Sequence, residues 1–254
     1  MSRVICIANQ KGGVGKTTTA VNLSASLAVA EKRTLLVDID PQGNATSGFG
    51  ITKEKSSLSI YHALIEQVHP KTLVHDTELN FLKIIPSNIN LIGAEIELVP
   101  FSDRETRLRN ALKELREEFD FLIIDCPPSL GLLTVNSLTA SDSILIPLQC
   151  EFYPMEGLSQ LLNTIELIKN SLNPHLKIEG ILLTMFDRRN NISHQVADEV
   201  RKHFGSLVFN TIIPRSVRLS ESPSFGKPII LYDASSRGAE SYLDLAKEVL
   251  THNF

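Results

Sequence analysis

Asn9-Gln10-Lys11-Gly12-Gly13-Val14-Gly15-Lys16-Thr17-Thr18 is the stretch on which the reading of this chain turns. It follows a short apolar run, Val4 to Ala8. It precedes a segment, Lys16 to Ala30, in which apolar residues recur every three or four positions, so it reads as a glycine-rich turn between a strand and a helix. Such a turn lets successive backbone N–H groups point into one cavity, and the helix N-terminus adds partial positive charge; together they suit a polyphosphate. In this reading Gly12, Gly13, Val14, Gly15 and Thr18 build the cradle, Lys16 reaches the β- and γ-phosphates and the Thr17 hydroxyl ligates Mg2+. The strict spacing G-x-x-x-x-G-K-[ST] asks for glycine at position 10, which here is Gln10. A second lysine, Lys11, lies inside the loop, where two ammonium groups crowd one site unless Lys11 serves a further phosphate group or a neighbouring subunit.

Outward from the loop, short β-branched runs alternate with amphipathic segments. Thr34 to Asp38, Phe81 to Ile85, Phe121 to Asp125, Ser143 to Leu148, Ile178 to Thr184 and Leu207 to Ile212 read as buried strands. Arg104 to Glu118, Pro154 to Asn170, Ser193 to Phe204 and Gly238 to Leu250 read as helices, and Gly50 to Asn80 is the least patterned stretch. The alternation predicts an α/β fold, a mostly parallel sheet with helices on both faces. Ligands of such a sheet sit beyond the carboxyl ends of its strands, and that is where the chemistry-bearing residues fall.

Composition narrows the classes. A hydrophobic fraction of 43% supports a buried core, and 25 Lys plus Arg against 29 Asp plus Glu gives a net charge of −4, which excludes coating nucleic acid by bulk charge. Cys6, Cys126 and Cys150 lie apart inside apolar runs and read as reduced core residues, not as a metal or redox pair. No apolar stretch reaches the roughly 18–20 residues of a membrane span, so a cytoplasmic location is expected.

Two strand ends carry carboxylates. Asp125 closes an apolar strand, where a charge is costly to bury unless it is paired or near a metal; it is expected to hold Mg2+ through water, the plainer alternative being a cap for the proline-rich turn that follows. Asp38 and Asp40 flank Ile39, and period-two alternation turns both to one face. Either both serve the site or Asp38 only fixes the turn. Arg188 and Arg189 follow one strand, and Arg215 and Arg218 follow another, so both pairs fall on comparable edges of the sheet, where they are either phosphate contacts or ordinary solvated charges.

These motifs together resemble the ParA/MinD family of deviant Walker-A ATPases, in K-G-G-V-G-K-T at the loop, in Asp38 to Asn44, in Phe121 to Pro128 and in Pro214 to Glu221. Within it the sequence is most similar to the small chromosomal ParA (Soj) group. The resemblance implies a P-loop NTPase-like fold in one domain, 1–254, without a separate N-terminal DNA-reading domain. It implies ATP and Mg2+ as ligands, Asp40 as the residue that orients or activates the attacking water, and Lys11 reaching the nucleotide of a second protomer in an ATP-dependent sandwich homodimer. Met185 and Asp187 are expected on one side of the adenine and Pro214 on another, with Ser216 standing where close relatives often carry Asn. Arg189 and Arg218 are the expected contacts to nonspecific DNA, and because no aromatics interleave with the arginines, phosphates and not bases are expected to be read. The implied activity is a DNA-partitioning ATPase, cytoplasmic and nucleoid-associated, released from DNA when a ParB-like partner stimulates hydrolysis. The alternatives are a MinD-like membrane-associated ATPase, for which the last residues offer no amphipathic tail, and a metabolic relative such as an iron–sulfur reductase, whose cysteine pattern is missing.

Overall fold

A computed structural model describes residues 2–51, 58–151 and 154–252. In chain order the elements are β1 (Arg3–Ile7), α1 (Lys16–Val29), β2 (Thr34–Asp38), α2 (Asn44–Ser47), α3 (Ile60–Leu64), β3 (His75–Asp76), β4 (Leu82–Ile85), α4 (Leu91–Glu97), α5 (Arg107–Leu112), β5 (Phe121–Asp125), α6 (Leu132–Ala140), β6 (Ser143–Gln149), α7 (Pro154–Ser171), β7 (Lys177–Phe186), α8 (Asn191–Phe204), β8 (Val208–Pro214), α9 (Val217–Glu221), α10 (Ile229–Tyr232) and α11 (Arg237–Thr251). The strands form one eight-stranded sheet in the order β3-β4-β2-β5-β1-β6-β7-β8, parallel except for the short edge strand β3. The expected α/β architecture is therefore the observed one.

Both faces of the central strands are apolar because helices cover both. Along β1, Val4 and Cys6 join one core and Ile5 and Ile7 the other; Leu122 and Ile124 of β5 divide from Phe121 and Ile123 in the same way. The first core is closed by α3 to α8 and the second by α1 and α11, where Tyr242 is buried against Thr19, their hydroxyls 3.2 Å apart. The three cysteines are free and buried, as expected.

One helical expectation changes, and one helix appears where none was expected. The pattern over Arg104 to Glu118 becomes α5 and a 3-10 turn at Leu115–Glu117, because residues ahead of α5 bond locally instead: Thr106 donates from both its N–H and its hydroxyl to the Asp103 carbonyl. The helix α6 has no clear amphipathic period in the sequence. It is buried nearly all round, and its polar side chains turn back on the helix, Ser137 Oγ to the Leu133 carbonyl (2.9 Å) and Asn136 Nδ2 to that of Leu132 (2.9 Å). The weakly patterned stretch contains α3 and β3, and its residues 52–57 lie outside the described residues.

The topology positions the site. From β1 the chain crosses to β2 on one side, and from β5 it crosses over β1 to β6 on the other, so the crevice opens where β5, β1 and β6 lie side by side. Register brings three strand ends together: Ile7 faces Asp125, and Asp125 faces Asp38.

Gly180 lies inside β7, where a Cβ would stand 2.5 Å from the Phe209 ring, which His252 stacks upon at 5.4 Å. With Phe209 buried and stacked on His252, Gly180→Ala is expected to destabilise the fold by about 1–3 kcal/mol through overpacking. A urea midpoint unchanged from the parent would contradict this packing.

Candidate nucleotide site

The loop between β1 and α1 folds as its glycines require. Gly13 has φ +73° and Gly15 φ +90°, both in the left-handed region that a side chain disfavours, and Gly15 sits at the N-terminus of α1. Side chains from neighbouring strand ends fix the loop: Asn9 Nδ2 donates to the Pro147 carbonyl (2.7 Å), and Thr184 Oγ1 donates to the Val14 carbonyl (2.8 Å). Lys11, Gly12 and Gly13 face solvent. Lys16 is buried, and its ammonium donates to the Lys11 carbonyl at 3.0 Å, so the loop closes on its own cation. Burial pushes the Lys16 pKa down, opposed chiefly by Asp125.

Asp125 is fully buried, and neither of its carboxylate oxygens has a well-formed hydrogen bond, although the Thr17 hydroxyl is close enough to ease the burial. Burial, with the neighbouring Asp38, holds its pKa well above the usual carboxylate range. An orphaned, desolvated carboxylate beside a threonine hydroxyl and a lysine is a fit for a hard divalent cation. Mg2+ in phosphate sites typically takes one or two protein oxygens and fills its octahedron with phosphate and water. Among the described residues, no cluster of three or more His, Cys, Asp or Glu side chains could hold a metal without such help.

Asp38 holds the turn that follows β2. Its Oδ1 accepts from the Asp40 N–H (3.1 Å), and its Oδ2 accepts from the Thr46 N–H (2.8 Å) and hydroxyl (2.7 Å). Asp40 lies just beyond β2, nearly buried, with Oδ1 accepting from the Gln42 N–H at 3.0 Å.

Met185, Pro214 and Ser216, expected around adenine, come together with Gly15, Thr18 and Thr184 in one cavity of about 260 Å3 beside the loop. Met185 adopts φ +50°, an uncommon conformation for a side-chain-bearing residue. The Ser216 hydroxyl accepts from the Leu219 N–H and so caps α9. Asp187 does not line this cavity; it forks onto Arg189 (3.0 Å), which lowers its pKa to about 2. A second cavity, about 450 Å3, runs from Thr17 and Thr18 along Asn22 to Asn44, Ser47 and Lys227. No spacing in the sequence marked it.

The arginines follow adjacent strand ends, Phe186 of β7 being in register with Pro214 of β8. Arg189 pairs with Asp187, Arg215 with Glu151 (3.1 Å), and Arg218 with Glu221 (3.2 Å) and Asp233 (3.5 Å). Folding also adds what the linear sequence lacks, since the Tyr232 ring lies 5.9 Å from the Arg218 guanidinium and packs on Phe225.

The sequence matches the AAA domain family over residues 2–178. The chromosome partitioning protein ParA of Myxococcus xanthus (strain DK1622) is 62% identical over 250 residues, covering 98% of this chain and 88% of that protein. The sporulation initiation inhibitor protein Soj of Bacillus subtilis (strain 168) is 60% identical over 249 residues, covering 98% of both. Among solved structures, cobyrinic acid a,c-diamide synthase from Mycobacterium smegmatis, with bound ADP and magnesium, superposes with a TM-score of 0.88 at 38% identity over 99% of this chain and 95% of that one. The sheet order, the glycine loop and the buried carboxylate at the end of β5 define a P-loop ATPase whose site suits a nucleotide with Mg2+. Within that class, the chain belongs to the ParA/Soj family of chromosome-partitioning ATPases, as its motifs led us to expect.

Burial raises the Asp38 pKa to about 7, although every hydrogen bond it accepts favours the charged form. The folded chain then holds a proton that the unfolded chain, at about 4, has released; this stability is present below about pH 4 and is lost as pH rises through about 7. For nucleotide-free and Mg2+-free protein, urea midpoints are expected to fall across that window more steeply in the parent than in Asp38→Asn. Parallel pH profiles for the two would contradict the assignment.

Proposed function

We propose that this chain is an ATP-driven DNA-partitioning switch. Two protomers close over two ATP molecules, the closed dimer adheres to nonspecific DNA, and hydrolysis stimulated by a ParB-like partner releases it. The observation that carries the reading is the meeting of Lys16, Thr17 and the unpartnered Asp125 at the mouth of the loop, with the cavity lined by Met185, Pro214 and Ser216 sharing Gly15 and Thr18 as its near wall.

In this proposal Lys16 leaves the Lys11 carbonyl for the β- and γ-phosphate oxygens, and the backbone N–H groups of Gly12 to Thr18 cradle the phosphates. Thr17 and, through water, Asp125 would hold Mg2+, which would neutralise charge on the phosphate oxygens. Asp40 orients the attacking water. Lys11, exposed on the loop, completes the nucleotide site of the second protomer. Met185, Pro214 and Ser216 enclose the adenine.

Arg189 and Arg218 are the proposed DNA contacts. Because each already has a carboxylate partner, a phosphate must compete with Asp187 or with Glu221 and Asp233, which keeps the contribution of one protomer small. Dimerisation doubles the contacts, and affinity multiplies with each counterion released, so nucleotide state governs DNA occupancy and a nucleoid location follows. The membrane alternative has less support, since Ala239, Tyr242, Leu245 and Val249 of α11 are buried in the core and not free for a lipid interface. Residues 253–254 lie outside the described residues.

The test is ATP-dependent binding to nonspecific DNA at fixed salt. Lys16→Ala is expected to lose nucleotide and DNA binding together, Asp40→Ala to stay on DNA as a long-lived dimer, and the pair Arg189→Glu and Arg218→Glu to dimerise without holding DNA. DNA affinity retained by that double variant would overturn the patch, and ATP-dependent flotation with liposomes would favour the membrane reading.

A further inference from the structure

Asp40 leaves the sheet on a turn, and its position is set by a closed ring of hydrogen bonds. The Asp40 N–H donates to Asp38 Oδ1 (3.1 Å), and the Gly43 N–H donates to the Asp40 carbonyl (2.9 Å). From the end of β4, Ser87 Oγ donates to that same carbonyl at 2.5 Å. Ser87 is fixed in turn, its N–H donating to Thr46 Oγ1 (2.9 Å), while the Thr46 hydroxyl donates to Asp38 Oδ2 (2.7 Å). Asp38, Thr46, Ser87 and Asp40 are all buried, with exposures of 0%, 6%, 7% and 6%. The ring spans two neighbouring strands whose last paired residues are Val37 and Ile85, so both chains leave the sheet together and the side chains take over where the backbone ladder stops.

On one side this ring is not packed. A cavity of about 410 Å3, with Gln42, Gly43, Thr46, Ser87 and Ile89 in its wall, borders the turn. Without the Ser87 bond the turn has room to relax into that space, whereas the strands behind it stay locked by their ladders and by the core. The hydroxyl therefore has a task that packing does not perform.

We propose that Ser87 is a positioning residue for the hydrolytic step, holding the Asp40 carboxylate where the attacking water lies by anchoring the Asp40 main-chain carbonyl. This rests on the reading of Asp40 as the residue that orients water. An error of about 1 Å in such a group costs up to about a hundredfold in rate, so one buried hydroxyl suffices to matter.

Single-turnover ATP hydrolysis, nucleotide affinity and melting temperature are measured for Ser87→Ala, Ser87→Thr, Asp40→Asn and the Ser87→Ala/Asp40→Asn pair. The expected result is a fall of about tenfold in hydrolysis for Ser87→Ala with nucleotide Kd within about twofold, recovery to within about threefold in Ser87→Thr, and no further loss when Ser87→Ala is added to Asp40→Asn. Two results overturn the proposal: Ser87→Ala at the parent rate while Asp40→Asn is slow, or an equal loss from Ser87→Ala in both backgrounds with Kd and melting temperature moving alongside. Parent-like hydrolysis by Asp40→Asn would instead remove the reading of Asp40 itself, and the role of Ser87 with it.

Discussion

Asp125 and Asp38 stand in register on adjacent parallel strands, both fully buried, and the rest of the site is arranged around the consequence. Two carboxylates desolvated side by side repel each other and lose several kcal/mol of hydration apiece unless protons or cations compensate them. The two solve this differently. Asp38 accepts hydrogen bonds from the backbone and hydroxyl groups of the following turn, which makes it a structural knot between β2 and α2. Asp125 has no such donors in place; the nearest help is the Thr17 hydroxyl and the Lys16 ammonium, both belonging to the loop that would hold phosphate. The need for positive charge is thus built in at the point where a nucleotide and its metal arrive.

The loop presents the complementary problem. Lys16 is buried and donates to the Lys11 carbonyl, so without a phosphate the cation is satisfied by its own cradle. That arrangement keeps a desolvated ammonium from being orphaned, and it gives phosphate binding something to displace. A ligand carrying both a polyphosphate and a divalent cation relieves the cation and the carboxylate at once, and by linkage it stabilises the folded chain. The phosphate would take the place of the Lys11 carbonyl on Lys16, while the metal would compensate Asp125, whose oxygens have no well-formed hydrogen bond.

What the sequence made legible was whatever depends on backbone geometry. The loop needs left-handed glycines at fixed spacing before a helix, and a carboxylate ending a run of apolar residues is improbable without a purpose, so Gly13, Gly15, Lys16, Thr17 and Asp125 all stand out. The strands were legible because continuous β-branched runs fit a sheet covered on both faces. Thr46 and Ser87 were not, since a single Ser or Thr has no period and acquires meaning only when two strand ends, distant in sequence, are brought side by side. The same holds for Tyr232 beneath Arg218. The helix α6 escaped because a helix buried on all sides shows no polar face to count.

The paired arginines link this site to the surface. Asp187 and Arg189 follow β7, which carries Met185 near its end, and Arg215 and Arg218 lie on either side of Ser216, Arg218 inside the α9 that Ser216 caps, so the residues that line the cavity and the arginines share two short segments. Cavity and surface are joined at the backbone as well: the Arg215 N–H donates to the Phe186 carbonyl at 3.0 Å. On the proposed reading, a base between Met185 and Pro214 would press on the same short segments that carry the arginines. Arg189 and Arg218 are each oriented by a carboxylate in an exposed pair, which on the proposed reading they would exchange for a phosphate. In the proposed switch such a surface would contribute little on an isolated protomer and would hold DNA when two copies present it together.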